Sequence, residues 1–320
     1  LLLEMDSDDA ALSLLPESFL EASKVDRPAR SRKKSRAEKA KAAKADAAKR
    51  RGGLLSLYGV GPRRAGLLKH VGGIRRVDDL LTCDLAELGW ELHKYDGHVT
   101  MAVLEGMRVH AQSYVDGRAL LFGAPPDLGS SYLVFDLEYE PSELIWIIGM
   151  LLVDGERVEH RYLWADDAEA ERRNLESLAE VMREREGAPL VTWAGSTADL
   201  PQLLGAATRQ GIDDVFEGIF ERHVDLFARC EDCLRLPIPG LGLDAVSSFF
   251  GCRKESPIPD GLEALRIYGD YRKAEDEATK ERLRSDLVVY NHDDLRAVVA
   301  IVRALRALAG EADPVVAPDR

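Results

Sequence analysis

The stretch Tyr132-Leu-Val-Phe-Asp136-Leu-Glu138-Tyr-Glu-Pro141 sets two carboxylates two residues apart inside an apolar run. Strand side chains alternate, so Val134, Asp136 and Glu138 share one face while Leu133, Phe135 and Leu137 share the other. Adjacent anions on a buried strand are costly unless a cation or a proton compensates them, and a divalent metal held between carboxylates is the usual solution. A chain carrying this strand is expected to bring further acids to it.

The elements that follow are ordered. Leu144 to Val153 and Val158 to Trp164 are apolar or alternating runs separated by the turn Asp154-Gly155, which reads as a hairpin. Asp166-Asp167 caps a helix running to about Glu186. Pro189-Leu-Val-Thr-Trp193 reads as a short buried strand, and a helix follows from about Thr197 to Gln210. Phe216 to Leu308 is mainly helical by pattern.

Two further acids stand out. Asp199 opens the second helix, which places it at the sheet end where functional groups collect in open α/β sheets. Taken alone, Ser196-Thr-Ala-Asp199 reads more readily as a capping arrangement, with the acid stabilising the helix N-terminus. In Tyr290-Asn-His-Asp-Asp294 the first and last residues are four apart and share a helix face that Val298 and Ile301 continue as apolar. Asp294 therefore wants a partner, while His292 and Asp293 read as solvated. Cys230-Glu-Asp-Cys233 invites a zinc reading with His223 and Cys252. No second CxxC follows, however, and Val224 to Leu236 reads as a helix, so buried or incidental thiols are expected.

Upstream the character changes. Residues 1–30 read as the remnant of another region, with an apolar segment at Leu12 to Leu20, and a start on Leu1 points to a fragment or processed product. Residues 31–53 form a basic Ala/Lys-rich linker, with ten cations between Arg32 and Arg51 opposed only by Glu38 and Asp46. It is either a soluble spacer or a phosphate-binding arm. In Leu54-Leu-Ser-Leu-Tyr-Gly59-Val60-Gly61-Pro-Arg63-Arg64-Ala65-Gly-Leu-Leu-Lys69 a short helix, a glycine hairpin and a helix opened by Pro62 follow one another. Such a turn points backbone N–H groups outward beside a helix N-terminus. Leu57, Val60, Ala65 and Leu68 are placed to pack it.

This stretch resembles the helix-hairpin-helix motif, which implies backbone-phosphate contacts from Gly59, Val60 and Gly61, with Arg63, Arg64 and Lys69 beside them. A degenerate second hairpin is expected around Tyr95-Asp-Gly97. The module is bounded at 54–115, and Phe122 to Gly129 reads as an inter-domain link. The competing expectation is a helical interaction domain whose hairpin merely packs.

The net charge of −13 argues against nonspecific binding of nucleic acid by the whole surface, so any such binding must come from local basic patches. No apolar run approaches membrane-spanning length, and Leu1-Leu-Leu is cut by Glu4 and Asp6, leaving no signal peptide and a cytoplasmic expectation. Four cysteines are too few for a disulfide framework in 320 residues.

Asp136-x-Glu138, Asp199 opening a helix, and Tyr290-x-x-x-Asp294 together resemble the three exonuclease motifs of the DEDD superfamily in its tyrosine-containing form. Residues 130–309 look like the YprB-like ribonuclease H-like domain of proteins assigned to the RecB family of nucleases. Glu140-Pro141, Ile148-Gly149, Asp225-Leu-Phe, Phe250-Gly251 and Tyr290-Asn291 are supporting detail. The resemblance implies an α/β fold: a ribonuclease H-like mixed sheet flanked by helices, preceded by a small all-α helix-hairpin-helix domain and followed by a tail at 310–320. It implies two Mg²⁺ or Mn²⁺ ions, one held by Asp136, Glu138 and Asp294, the second shared by Asp136, with Asp199 completing the site directly or through water. Tyr290 would orient the attacking water.

The activity so implied is 3′-5′ exonucleolytic cleavage of single-stranded DNA or RNA. An upstream nuclease domain usual in such proteins is absent from this chain. The family's Asn-Gly pair before the second-motif aspartate is replaced by Ala194-Gly195. That departure keeps open a catalytically weak or inactive nucleic-acid-binding platform.

Overall fold

The structure is a computed structural model and describes residues 53–57, 59–140 and 144–311. The expected upstream remnant at 1–30, the basic run from Arg32 to Arg51, Pro141 and the tail from 312 onward lie outside the described residues. In chain order the elements are α1 (Pro62–His70), α2 (Asp79–Thr82), α3 (Leu85–His93), α4 (Met101–Asp116), β1 (Leu120–Leu121), β2 (Ser131–Tyr139), β3 (Ile145–Asp154) and β4 (Arg157–Trp164). There follow α5 (Ala168–Glu184), β5 (Leu190–Thr192), α6 (Asp199–Gln210), α7 (Ile219–Arg222), β6 (His223–Asp225), α8 (Leu226–Cys233), β7 (Leu234–Arg235), α9 (Leu243–Phe249), α10 (Gly261–Lys273) and α11 (Glu277–Glu311).

The described residues divide into two compact units, one within 53–123 together with 234–241, the other within 124–233 and 242–311. In the first, a single 3-10 turn at Leu54–Ser56 precedes the glycine hairpin, where Gly59 takes φ +75° and Pro62 opens α1. Leu57, Val60, Ala65 and Leu68 are all buried in one cluster with Leu88, Leu92 and Leu104. Asp84 and Thr100 accept backbone N–H bonds at the starts of α3 and α4. Strand β1 pairs antiparallel with β7, and His110 Nε2 lies 2.8 Å from the carbonyl of Leu236.

The second unit is a five-stranded mixed sheet in the order β4-β3-β2-β5-β6, with β2, β3 and β4 antiparallel and β5 and β6 running parallel to β2. This is the α/β ribonuclease H-like architecture, a mixed sheet flanked by helices, that the resemblance implies. Strand parity acts as expected: Leu133, Phe135 and Leu137 pack with Leu175 and Leu178 of α5 and Leu200 and Leu203 of α6. Each such side chain contributes about 1.5–3 kcal/mol on burial. The other face meets α11 against β2 and β3, while Trp146 and Ile147 pack on Tyr268 of α10 and Leu287 and Tyr290 of α11. Strand β3 is apolar and buried from Ile145 to Val153 because both its faces are covered.

Two local expectations are corrected. The expected helix from Val224 to Leu236 is confined to α8, with β6 before it and β7 after it. The apolar spacing of Leu226, Cys230 and Cys233 is helical, but the flanking residues hydrogen-bond as strand partners. His292 and Asp293 are not solvated. Asp293 is buried and its Oδ2 accepts the N–H groups of Glu255 and Ser256, both at 2.7 Å, and His292 stacks on His160 with ring centroids 3.9 Å apart.

Candidate functional site

The carboxyl ends of the parallel neighbours β2 and β5 open onto a cavity of about 300 Å³. Asp136, Glu138, Asp199, Tyr290 and Asp294 all line it, together with Tyr139, Trp146, Trp193, Gly261 and Leu265. The five residues come from three distant elements: alternation brings Asp136 and Glu138 to one face of β2, helical spacing brings Tyr290 and Asp294 to one face of α11, and α6 begins at Asp199.

Carboxylate oxygens of Asp136, Glu138 and Asp294 lie within 4.8 Å of one another, the spread that a single hard cation spans with oxygen ligands at about 2.0–2.6 Å. Among the described residues this is the one group of three or more His, Cys, Asp or Glu side chains with metal-ligand spacing. Asp294 Oδ1 is buried and no hydrogen bond of good geometry reaches it, although Lys254 Nζ stands 3.0 Å away as an ion pair. An all-oxygen donor set of this kind suits a hard divalent cation. The zinc reading of Cys230 and Cys233 has no support: both thiols are buried on α8, and His223 Nε2 lies 2.8 Å from Thr192 Oγ1.

Asp199 stands outside the close group and is not the cap that its sequence context favours. No side chain caps α6, and Asp199 is buried, its Oδ1 accepting the Leu137 N–H at 3.3 Å. That bond ties the start of α6 to the strand residue between the two β2 acids.

Crowding is legible in the acid strengths. Asp136 and Glu138 keep some surface open to the cavity, yet protein surrounds them. Burial first, then the neighbouring carboxylates, pushes both well above the usual carboxylate range. Burial raises Asp199 to about 7. Asp294 is raised by burial too, opposed by Lys254. Tyr290 is held protonated by burial and by the surrounding acids. A pocket of this kind takes up either protons or a divalent cation.

Several groups at the site carry no clear sequence signal. Asn291 Nδ2 donates to Asp136 Oδ2 at 2.7 Å. Gly149, paired with Asp136 across the strands, makes room for it: a Cβ there would meet Asn291 Oδ1 at 1.7 Å. Asp225 holds the loop between β5 and α6, accepting the N–H groups of Ala194 at 3.0 Å, Ser196 at 3.1 Å and Ala228 at 3.3 Å. Trp193 on that loop lies edge-on to Phe227, with centroids 5.6 Å apart. The pairs Tyr290-Asn291 and Asp225-Leu-Phe stand out in the sequence, but nothing local tells what they touch.

In the helical unit the hairpin residues are divided in their commitments. Arg64 is turned inward, Nη1 donating to the Gly59 carbonyl at 2.9 Å with Asp96 3.9 Å away; Arg63, exposed on α1, donates from Nη2 to the Tyr95 carbonyl at 3.4 Å, and Lys69 is exposed on the same helix. Asp96 shapes the second turn, accepting the His98 N–H at 3.1 Å.

A family model of the RNase H superfamily matches residues 133–306, more than half of the chain. The chain belongs to the RNase H superfamily. Membership points to nuclease-type chemistry on nucleic acid with divalent metal, and the acidic cluster lies within the matched region. This RNase H superfamily chain is also similar to the family B DNA polymerase of the hyperthermophilic archaeon Pyrobaculum calidifontis. The two are 21% identical over 57% of this chain and 25% of the polymerase, with a TM-score of 0.44, so the match spans about a quarter of that protein's length. No curated protein matches the sequence. Among the described residues no helix of this superfamily member is long and apolar enough to cross a membrane.

Proposed function

We propose that the chain is a metal-dependent nuclease, a 3′-5′ exonuclease of the tyrosine-containing DEDD type acting on single-stranded DNA or RNA. The observation that carries this reading is the convergence of Asp136, Glu138, Asp199, Tyr290 and Asp294 on one cavity, from positions up to 158 residues apart in sequence. Asp136, Glu138 and Asp294 hold the metal, and Asp199 completes the site. When bound, two Mg²⁺ or Mn²⁺ ions supply an activated water and stabilise the leaving oxygen of a phosphodiester. The protein's own part is orientation: Asn291 fixes Asp136, the Leu137 N–H fixes Asp199, and the protonated Tyr290 hydroxyl is available to hold the attacking water. The resemblance to YprB-like domains of RecB-family proteins supports this assignment.

The glycine hairpin of the helical unit is proposed as a helix-hairpin-helix contact to substrate phosphates, through the Gly59-Val60-Gly61 backbone and the exposed Arg63 and Lys69. Arg64 acts there by holding the hairpin. A second reading, a binding platform of weak activity, is favoured by Ala194, which lacks the amide of the family's asparagine.

One assay separates the two. End-labelled single-stranded DNA and RNA are incubated with Mg²⁺ or Mn²⁺, comparing the chain with Asp136→Ala. Shortening from the 3′ end that is lost in the variant is expected, whereas intact substrate with every metal leaves only the platform. A salt-sensitive mobility shift of duplex DNA, lost on changing Gly59 and Gly61, tests the hairpin.

A further inference from the structure

The segment leading up to Ser256 is fastened to α11. Besides the two bonds from the Glu255 and Ser256 N–H groups to Asp293, Arg296 Nη1 reaches Glu255 Oε1 at 2.5 Å and Asp293 Oδ1 at 3.2 Å. This clamp delivers Lys254, whose Nζ lies 2.7 Å from Asp244 Oδ1, 3.0 Å from Asp294 Oδ1 and 5.1 Å from the centroid of the Tyr290 ring. The lysine side chain is only 25% exposed, so it has given up hydration and rotamer freedom to sit there. Asp294 is one of the three acids whose oxygens converge, and Asp244, on α9, lies outside that group.

An ammonium and a divalent ion cannot both take full advantage of one carboxylate: they divide its lone pairs and repel each other. The second carboxylate gives the lysine somewhere else to go. We propose that Lys254 is the resident counter-ion of the acid pocket, bridging Asp294 and Asp244 when no divalent cation is bound and resting on Asp244 alone when one enters, so that the Asp244–Lys254 pair sets the affinity for the metal. This rests on reading Asp136, Glu138 and Asp294 as metal ligands. Lys254 is in this sense a positioning residue for Asp294. It also discriminates by charge, since a monovalent ion that displaces an ammonium gains nothing, whereas a divalent ion brings one further charge to a cluster of acids.

The test is calorimetric titration of Mn²⁺ into the full chain, the Lys254→Met variant and the Asp244→Asn variant, with thermal unfolding of each in EDTA. Lys254→Met removes the competitor: it is expected to bind Mn²⁺ about tenfold tighter while melting lower in EDTA. Asp244→Asn removes the alternative seat and is expected to bind Mn²⁺ several-fold more weakly. A bridge that merely holds the fold lowers the melting temperature of both variants and leaves both affinities at the wild-type value, which overturns the proposal. Weaker Mn²⁺ binding by Lys254→Met does so too. Should Lys254→Met not fold, the direction of the Asp244→Asn shift decides. Failure of the unaltered chain to bind Mn²⁺ at all removes the metal reading itself, an outcome distinct from the others.

Discussion

At Ala194 the backbone takes φ +58°, the one non-glycine residue with positive φ among those described. The left-handed region crowds a Cβ against the neighbouring carbonyl, at a cost of roughly 1–2 kcal/mol. The conformation persists because Asp225 accepts the Ala194 N–H and the next residue is Gly195, where a Cβ would meet Thr192 Oγ1 at 2.0 Å. This gives physical content to the departure from the Asn-Gly pair of the YprB-like domains that the sequence resembles: asparagine and glycine are the residues that best tolerate this geometry. Ala194→Gly should therefore stabilise the chain by about 1 kcal/mol, and Ala194→Asn should do so by a smaller amount, read from urea midpoints at constant slope. A loss of stability in both variants would show that the loop is not strained. Nothing in the local sequence announces the positive φ, since alanine is among the residues least expected there.

At the scale of the element, β2 and α11 act as rulers. Alternation alone puts Asp136 and Glu138 on a common side, and a four-residue step alone aligns Tyr290 with Asp294, so these pairings could be read without a structure. The loop joining β5 to α6 is different, because its shape depends on Asp225 at the end of β6, a three-residue strand too short to show any alternation. Three N–H groups converge on that carboxylate. Charge-assisted bonds of this kind contribute more than neutral ones, and Asp225→Ala should destabilise the chain by about 2 kcal/mol or more in urea unfolding. Since the loop also carries Trp193 and leads into Asp199, cleavage by this variant should fall further than the fraction unfolded explains. Activity that merely tracks the folded fraction would restrict Asp225 to a structural part.

For the molecule as a whole, the acid cluster couples folding to pH and metal. Asp199 titrates near 7 in the folded chain against an ordinary value of 3.8, and Asp136, Glu138 and Asp294 are displaced in the same direction. Between those values the folded chain retains protons that the unfolded chain has released. The stability that Asp199 contributes is full below about pH 4 and is lost as the pH rises through about 7, and the other three acids act in the same direction. His110 runs the other way: burial lowers it to about 4, so its contribution is present above its ordinary 6.5 and lost as the pH falls. The difference between melting temperatures in Mn²⁺ and in EDTA cancels such bystanders. That gap should widen from pH 5 to pH 8, because a metal requires the carboxylates deprotonated. A gap that is constant with pH would mean that the ion binds elsewhere.

Local geometry was enough to read the strand and helix faces, the hairpin at Asp154-Gly155, the opening order of the mixed sheet and four of the five acids and phenols that pair by spacing. These follow from covalent geometry, which acts over a few residues and is written in the chain. Asp199 shows where that reach ends: its neighbours favour a helix cap, and only packing of α6 against β2 buries it beneath the Leu137 N–H. The fit of Asn291 over Gly149, the bracing by Asp225, the return of 234–241 to the helical unit and the seat of Lys254 between Asp244 and Asp294 likewise join residues far apart in sequence. Such contacts exist only once the long-range packing of the folded core has brought their partners together, and no periodicity along the chain encodes them.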